Sequence, residues 1–464
     1  MPTQDAARSG EPQLVRALGV RGLAATTFNV MIGGGIFVLP AVVAAGMGVR
    51  APLAYVVCAL AMGLIVLCFA EAGSRVSLTG GPYAYVEVAF GPFVGFLAGV
   101  LLWLLGSFAT AAVASALAGS AAVFWSAFDE PLPRALLLVT VFALLAMVNV
   151  RGVRQGTRLI EIVTVAKLLP LLLLVAAGAF AASAMAPAPA AVGAPAALGT
   201  EGLGRTAIVL IFAFAGVESA LVPSGEVRNP ARTVPRALAI AMVSVTLLYV
   251  ALQLVAQRVL GVEALAAAVD APLAAAAAQI AGPVGGAIVA AGAVISMFGH
   301  VSGMTLATPR ALYAFGRDGL IPVFSPQLAS IHPRYRTPHV AIMLQAAIAC
   351  ALAISSGFAK LAILANVAVL TLYLLCCMAA LELRRRNVRE DGAPFRVPGG
   401  PVVPILAAIV ILWLLSHATV RELAVVSAVL AAAALLFLIR RRRTPASAAG
   451  QRGARTAGVE EPLP

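Results

Sequence analysis

Between residues 20 and 440 the chain alternates long apolar runs with short polar connections that are rich in arginine. The runs hold about 20 residues each, enough for a helix to cross roughly 30 Å of hydrocarbon. They lack the strict apolar–polar alternation of a spanning strand. A backbone in lipid must satisfy its own hydrogen bonds, so the pattern predicts an all-α membrane protein. Twelve transmembrane helices are expected, near residues 20–45, 51–74, 92–118, 134–150, 158–181, 205–226, 235–257, 283–307, 337–356, 361–383, 401–417 and 422–440. An even number of crossings puts both termini on one side.

Composition agrees with lipid as the solvent. Of 464 residues, 61% are hydrophobic and only 11% charged, too few for the surface of a soluble chain of this size. The net charge of +13 could suggest a nucleic-acid partner, but the basic residues fall in the short connections. With the N-terminus inside, 25 Lys and Arg fall on the cytoplasmic side and six outside, with Lys167 in neither set. That asymmetry predicts cytoplasmic termini in the inner membrane and no nucleic-acid partner. Residues 1–19 are polar and the following run is too long for a signal-peptide core, so a cytoplasmic tail is expected there and no cleaved leader. The cysteines, at 58, 68, 350, 376 and 377, lie within apolar runs without metal-ligand spacing and read as small buried hydrophobes. Residues 182–204 form an Ala- and Pro-rich extracellular linker, residues 262–281 an extracellular helical hairpin, and residues 441–464 a polar cytoplasmic tail.

Two spans contain helix-breaking sequence at matched depth. Span one carries Ile32-Gly33-Gly34-Gly35-Ile36-Phe37, and three consecutive glycines cost on the order of 1 kcal/mol each in a helix. Gly33 lies roughly 18 Å along the span from Arg21, near the midplane. Close helix packing through small residues would also explain a glycine triplet. Span six carries Phe212-Ala213-Phe214-Ala215-Gly216-Val217-Glu218-Ser219, with Gly216 again near mid-membrane. An intramembrane carboxyl such as Glu218 points to function, or to a structural hydrogen bond with a neighbouring helix or freed backbone. Interruptions in the first and sixth spans point to a five-plus-five inverted repeat: residues 20–181 and 205–383, with 384–440 adding a cytoplasmic loop and two C-terminal helices.

These motifs resemble those of the amino acid–polyamine–organocation permeases. The glycine triplet looks like the family's Gly-x-Gly motif. Residues 212–219, followed by Gly225-Glu-Val-Arg-Asn-Pro-Ala-Arg-Thr-Val-Pro-Arg236, resemble its sixth-helix signature. Thr79-Gly-Gly-Pro-Tyr-Ala-Tyr85, Arg317-Asp-Gly-Leu-Ile-Pro322 and Pro394-Phe-Arg-Val-Pro-Gly-Gly400 resemble three further markers in the same order along the chain. One departure is Gly34, where many relatives have serine.

Chain direction gives the chemistry expected at the breaks. The outer half of span one would begin at the glycines and offer the amides of Gly34, Gly35 and Ile36 to a carboxylate. The inner half would end at Met31 and Ile32, whose carbonyls suit an ammonium, as do those from Phe212 to Ala215 and beside Gly216. Donors for a carboxylate beside acceptors for an ammonium match a free α-amino acid, and the resemblance implies the same substrate class and contacts. Phe212 and Phe214 could cover the substrate or belong to the core. The resemblance implies that an aromatic ring at position 212 can stack on a cationic substrate, but a neutral or apolar amino acid is the first expectation here.

Lys167 and Glu218 are the expected coupling and gating groups. Lys167 sits near mid-span in a chain with two lysines and thirty arginines. Unlike arginine, lysine can release its proton when desolvated. The resemblance implies that proton-coupled members hold such a lysine against the unwound first helix; a permanent structural ammonium in an exchanger is the alternative. Glu71 reads as a helix-end salt bridge or gate, Glu161 as structural, and His300 as bonded to a backbone carbonyl or part of a proton path. No catalytic triad, zinc spacing or phosphate loop is present, so neither an enzyme nor a cofactor is expected. A secondary transporter taking protons as coupling ion is the leading expectation, a proton-independent amino acid, amine or polyamine exchanger the alternative, and a sensor built on a transporter fold the rival from another class.

Overall fold

The computed structural model describes residues 18–76, 81–151, 157–184, 200–221, 227–317, 319, 324–389 and 393–443, with backbone alone at 157–166, 181–184, 200–201 and 441–443. Among these residues every regular element is helical, and one isolated β-bridge joins Leu18 to Val227. In chain order the helices are α1 Val20–Met31, α2 Gly35–Met47, α3 Ala51–Arg75, α4 Pro82–Phe90, α5 Pro92–Ala122, α6 Pro131–Arg151, α7 Thr157–Ala184, α8 Thr200–Phe214, α9 Val217–Ala220, α10 Pro230–Leu260, α11 Val262–Ala267, α12 Pro272–Ala307, α13 Pro309–Arg317, α14 Ser325–Leu328, α15 His339–Ser355, α16 Phe358–Arg385, α17 Val402–Ser416 and α18 Val420–Arg443.

Among the described residues, eight helical stretches are long and apolar enough to cross a membrane, and three shorter apolar helices accompany them. One long stretch, Gly35–Arg75, joins two of the expected spans, as α2 and α3 follow each other almost without a break. The chain is a multi-pass membrane protein. The 262–281 region is α11 followed by the first part of α12, which bends at Ala281 and Gly282. Glycine takes a positive φ of 68° there, a conformation other residues adopt at a cost.

Burial sorts the helices into centre and periphery. The apolar windows of α5 and α16 are 72% and 78% buried by protein, whereas those of α6 and α18 are 22% and 11% buried. The exposed apolar side chains of α6, such as Leu132, Leu136 and Leu144, are therefore a lipid-facing surface. The short segments α1, α2, α8 and α9 pack on α3, α10, α12 and α16. Glu161 has no described side chain, and residues 77–80, 222–226, 318, 320–323, the 185–199 part of the linker and both outer tails lie outside the described residues.

Candidate binding site at the paired helix breaks

The two interruptions lie side by side. α1 ends at Met31, residues 32–34 are non-helical, and α2 starts at Gly35. α8 ends at Phe214, Ala215 and Gly216 form a turn, and α9 starts at Val217. A Cβ on Gly216 would lie 3.0 Å from Val30 Cγ1, and one on Gly35 would lie 3.1 Å from Phe212 Cδ1. Gly216 has φ 114°, which interrupts the helix between α8 and α9 and favours glycine. Gly33, Ala215 and Gly216 are half-buried between buried neighbours, so open space reaches the breaks.

The carbonyls freed at the end of α1 are held by side chains from other helices. Lys167 on α7 donates to Asn29 O at 2.5 Å and to Ile32 O at 2.8 Å. Its side chain is buried, and these two acceptors give its charge partners away from water. The hydroxyl of Tyr249 on α10 lies 2.9 Å from Met31 O and 3.0 Å from Ala213 O. A phenol has a single proton, so it serves one of these carbonyls at a time or splits its bond between them. Tyr249 thus ties both breaks together at one atom.

Glu218 closes the second break from within. Both of its carboxylate oxygens accept from the Gly216 amide, at 3.0 and 2.9 Å, and the Tyr373 hydroxyl donates to Oε2 at 2.6 Å. The carboxyl is thus bonded to freed backbone and to α16, whose Tyr373 ring meets Phe69 of α3 edge-on.

The remaining walls are apolar. A Cβ at Gly34 would meet Val113 Cγ1 at 2.8 Å and Met297 Cγ at 3.2 Å, so the space that a serine would need is filled from α5 and α12. Phe212 packs edge-on against Phe358 beside Gly35. Phe214 is fully buried, with its ring against Tyr249. Ile36 is fully buried just past the break, where the first amides of α2 have no intrahelical acceptor. Among the described residues no cluster of His, Cys, Asp and Glu could hold a metal.

Sequence reasoning missed Tyr249, Tyr373 and Phe358. Tyrosine hydroxyls midway along apolar runs were a readable signal, because such a group needs a partner inside the bundle. Which carbonyl it meets depends on packing between helices far apart in sequence.

The profile of a family described as amino acid permease matches residues 18–444. This chain belongs to that family. It is 31% identical to the branched-chain amino acid permease BcaP of Bacillus subtilis over 428 residues, 88% of this chain and 90% of the relative. It is 29% identical to the methylthioribose transporter of the same organism, covering 88% of this chain and 89% of that one. The serine/threonine exchanger SteT of Bacillus subtilis is 26% identical over 85% of this permease and 89% of the relative.

Proposed function

We propose that this permease is a secondary active transporter that takes up a neutral amino acid with a proton by alternating access. Membership of the amino acid permease family and the relatives' roles support amino acid transport. The observation that carries the coupled reading is Lys167, a buried ammonium seated on the carbonyls of Asn29 and Ile32 at the inner edge of the first break. Protonated, it caps the inner half of the broken span and favours the state that binds substrate from outside. Its discharge to the cytoplasm frees that half-helix and opens the inner side.

The substrate carboxylate meets the amides around Gly34, Gly35 and Ile36, at the positive end of α2. The ammonium takes carbonyls at the end of α8 that Tyr249 does not hold. Val113, Met297, Phe212 and Phe358 give the side-chain pocket an apolar wall, which favours aliphatic over charged side chains. Twelve crossings, the five-plus-five repeat, cytoplasmic termini and residence in the inner membrane belong to the same proposal.

A proton-independent exchanger is the second reading. Two well-made carbonyl contacts also suit a lysine that never loses its proton. Proteoliposomes separate the two. Coupling predicts concentrative uptake driven by an inward proton gradient and abolished in Lys167→Ala. Gradient-driven uptake at the wild-type level in that variant rules the mechanism out, and uptake only against internal amino acid establishes the exchanger.

A further inference from the structure

His300 stands on α12 opposite the first break. A Cβ on Gly33 would lie 3.5 Å from its Nδ1, and its Nε2 is buried without a hydrogen-bond partner among the described residues. Ser296, one turn earlier on the same face of α12, is also buried with its hydroxyl unpartnered. Buried polar atoms are rarely left unpaired, so two on one face mark a polar recess. Lys167 reaches this region from α7, bonded to Ile32 O, the residue next to Gly33.

Little other charge is near. α2 and α5 carry no titratable side chain, and α12 carries only His300. α1 contributes Arg21, and α10 contributes Arg232, Arg236 and Arg258 near its ends and Tyr249 at the Met31 carbonyl. α7 adds Arg158 and Glu161 in its first turns. Charge on α6, α11, α13 and α15 is confined to Arg134, Arg151, Glu263, Arg310, Arg317 and His339, toward helix ends, with Tyr313 and Cys350 the other titratable groups there. Among the described residues, Lys167 is thus the charge that His300 meets. Two cations in one poorly solvated recess repel strongly, so the pair holds one positive charge between its members.

We propose that His300 takes the coupling proton from Lys167 and passes it toward the cytoplasm. The inference rests on the proton-coupled reading above. An N–H bond of the Lys167 ammonium breaks and the lone pair of His300 Nε2 takes the proton, directly or through one water held by Ser296. Lysine becomes a neutral amine and the imidazole an imidazolium, with Nδ1 carrying its own proton throughout. His300 is seven residues from the inner end of α12, roughly 10 Å, and Lys167 is ten from the start of α7, roughly 15 Å. Discharge of the imidazolium to cytoplasmic water completes the relay.

The test compares wild type with His300→Gln in proteoliposomes, reading gradient-driven uptake against internal pH and substrate exchange without a gradient. The variant is expected to lose roughly tenfold in gradient-driven uptake and to lose its dependence on internal pH, with exchange unchanged within about twofold. A variant that keeps the wild-type uptake and pH profile overturns the relay while leaving Lys167 coupling intact. Wild type without gradient-driven uptake overturns both. Should His300→Gln not fold, ¹⁵N-histidine spectra of the full chain with His332, His339 and His417 replaced by glutamine read the ring directly. The relay requires the His300 titration to move in Lys167→Met, and a titration that stays put overturns it.

Discussion

Gly216 is the residue on which the geometry of the second break turns. Its φ of 114° is one that an L side chain adopts at roughly 1–3 kcal/mol, and the space beside it is taken by Val30. Gly216→Ala is expected to push the two breaks apart and weaken substrate binding about tenfold, as measured by binding to purified protein; unchanged affinity would place the site elsewhere. Gly34 is limited by space, since a Cβ would lie 2.8 Å from the branched side chain of Val113. Gly34→Leu is expected to abolish binding, and pairing Gly34→Ser with Val113→Ala is expected to recover more binding than Gly34→Ser alone. The depth of both glycines could be read by counting residues along apolar runs. The neighbours that make them necessary, Val30 and Val113, could not, because they arrive from other helix turns.

At the scale of elements, Glu71 in the last turns of α3 organises three segments. It accepts from Arg75 at 3.2 and 2.9 Å, from Arg384 Nε of α16 at 2.7 Å, and from the Val397 amide at 3.1 Å, and Arg384 Nη2 also reaches its Oε2. Ser74 extends the junction by accepting from the Phe395 amide at 3.0 Å. The Pro394–Gly400 motif thus closes the end of α3, and the expected helix-end salt bridge is a three-way joint. Glu71→Gln leaves Arg75 buried beside a neutral amide and is expected to cost about 3–5 kcal/mol. Arg384→Met keeps the Glu71–Arg75 pair and is expected to cost about 1.5–3 kcal/mol. Thermal unfolding in detergent checks the order, and equal losses would show that Arg384 carries as much of the joint as Glu71. Most helices were legible because their apolar length is set by the bilayer. The local Glu71–Arg75 pair was legible as a helix-end salt bridge, but Arg384 and Val397 were not, because they lie more than 300 residues from Glu71 and no local pattern encodes such pairing.

Across the whole molecule, burial differs on the two sides of the breaks. On the side of α2 and α8, Gly35, Ile36, Leu39 and Phe212 are buried, and Phe358 seals Phe212. On the side of α1 and α9, Asn29 and Val30 are half-buried and Ser219 is exposed. With the proposed orientation the outer side is closed while Lys167 still caps the end of α1, the arrangement of a carrier that has not yet released its inner half-helix. All five native cysteines are buried, so an introduced thiol can be followed against a low background. In inside-out vesicles, Ser219→Cys is expected to react readily with a membrane-impermeant maleimide, whereas Leu39→Cys stays unreactive from either face. An outward proton-free condition with saturating external substrate draws the population toward the occluded state and is expected to slow labelling of Ser219→Cys severalfold, because a ligand shifts the equilibrium by its differential affinity for the two states. Labelling of Ser219→Cys only from the periplasmic face would reverse the orientation, and with it the direction in which Lys167 discharges.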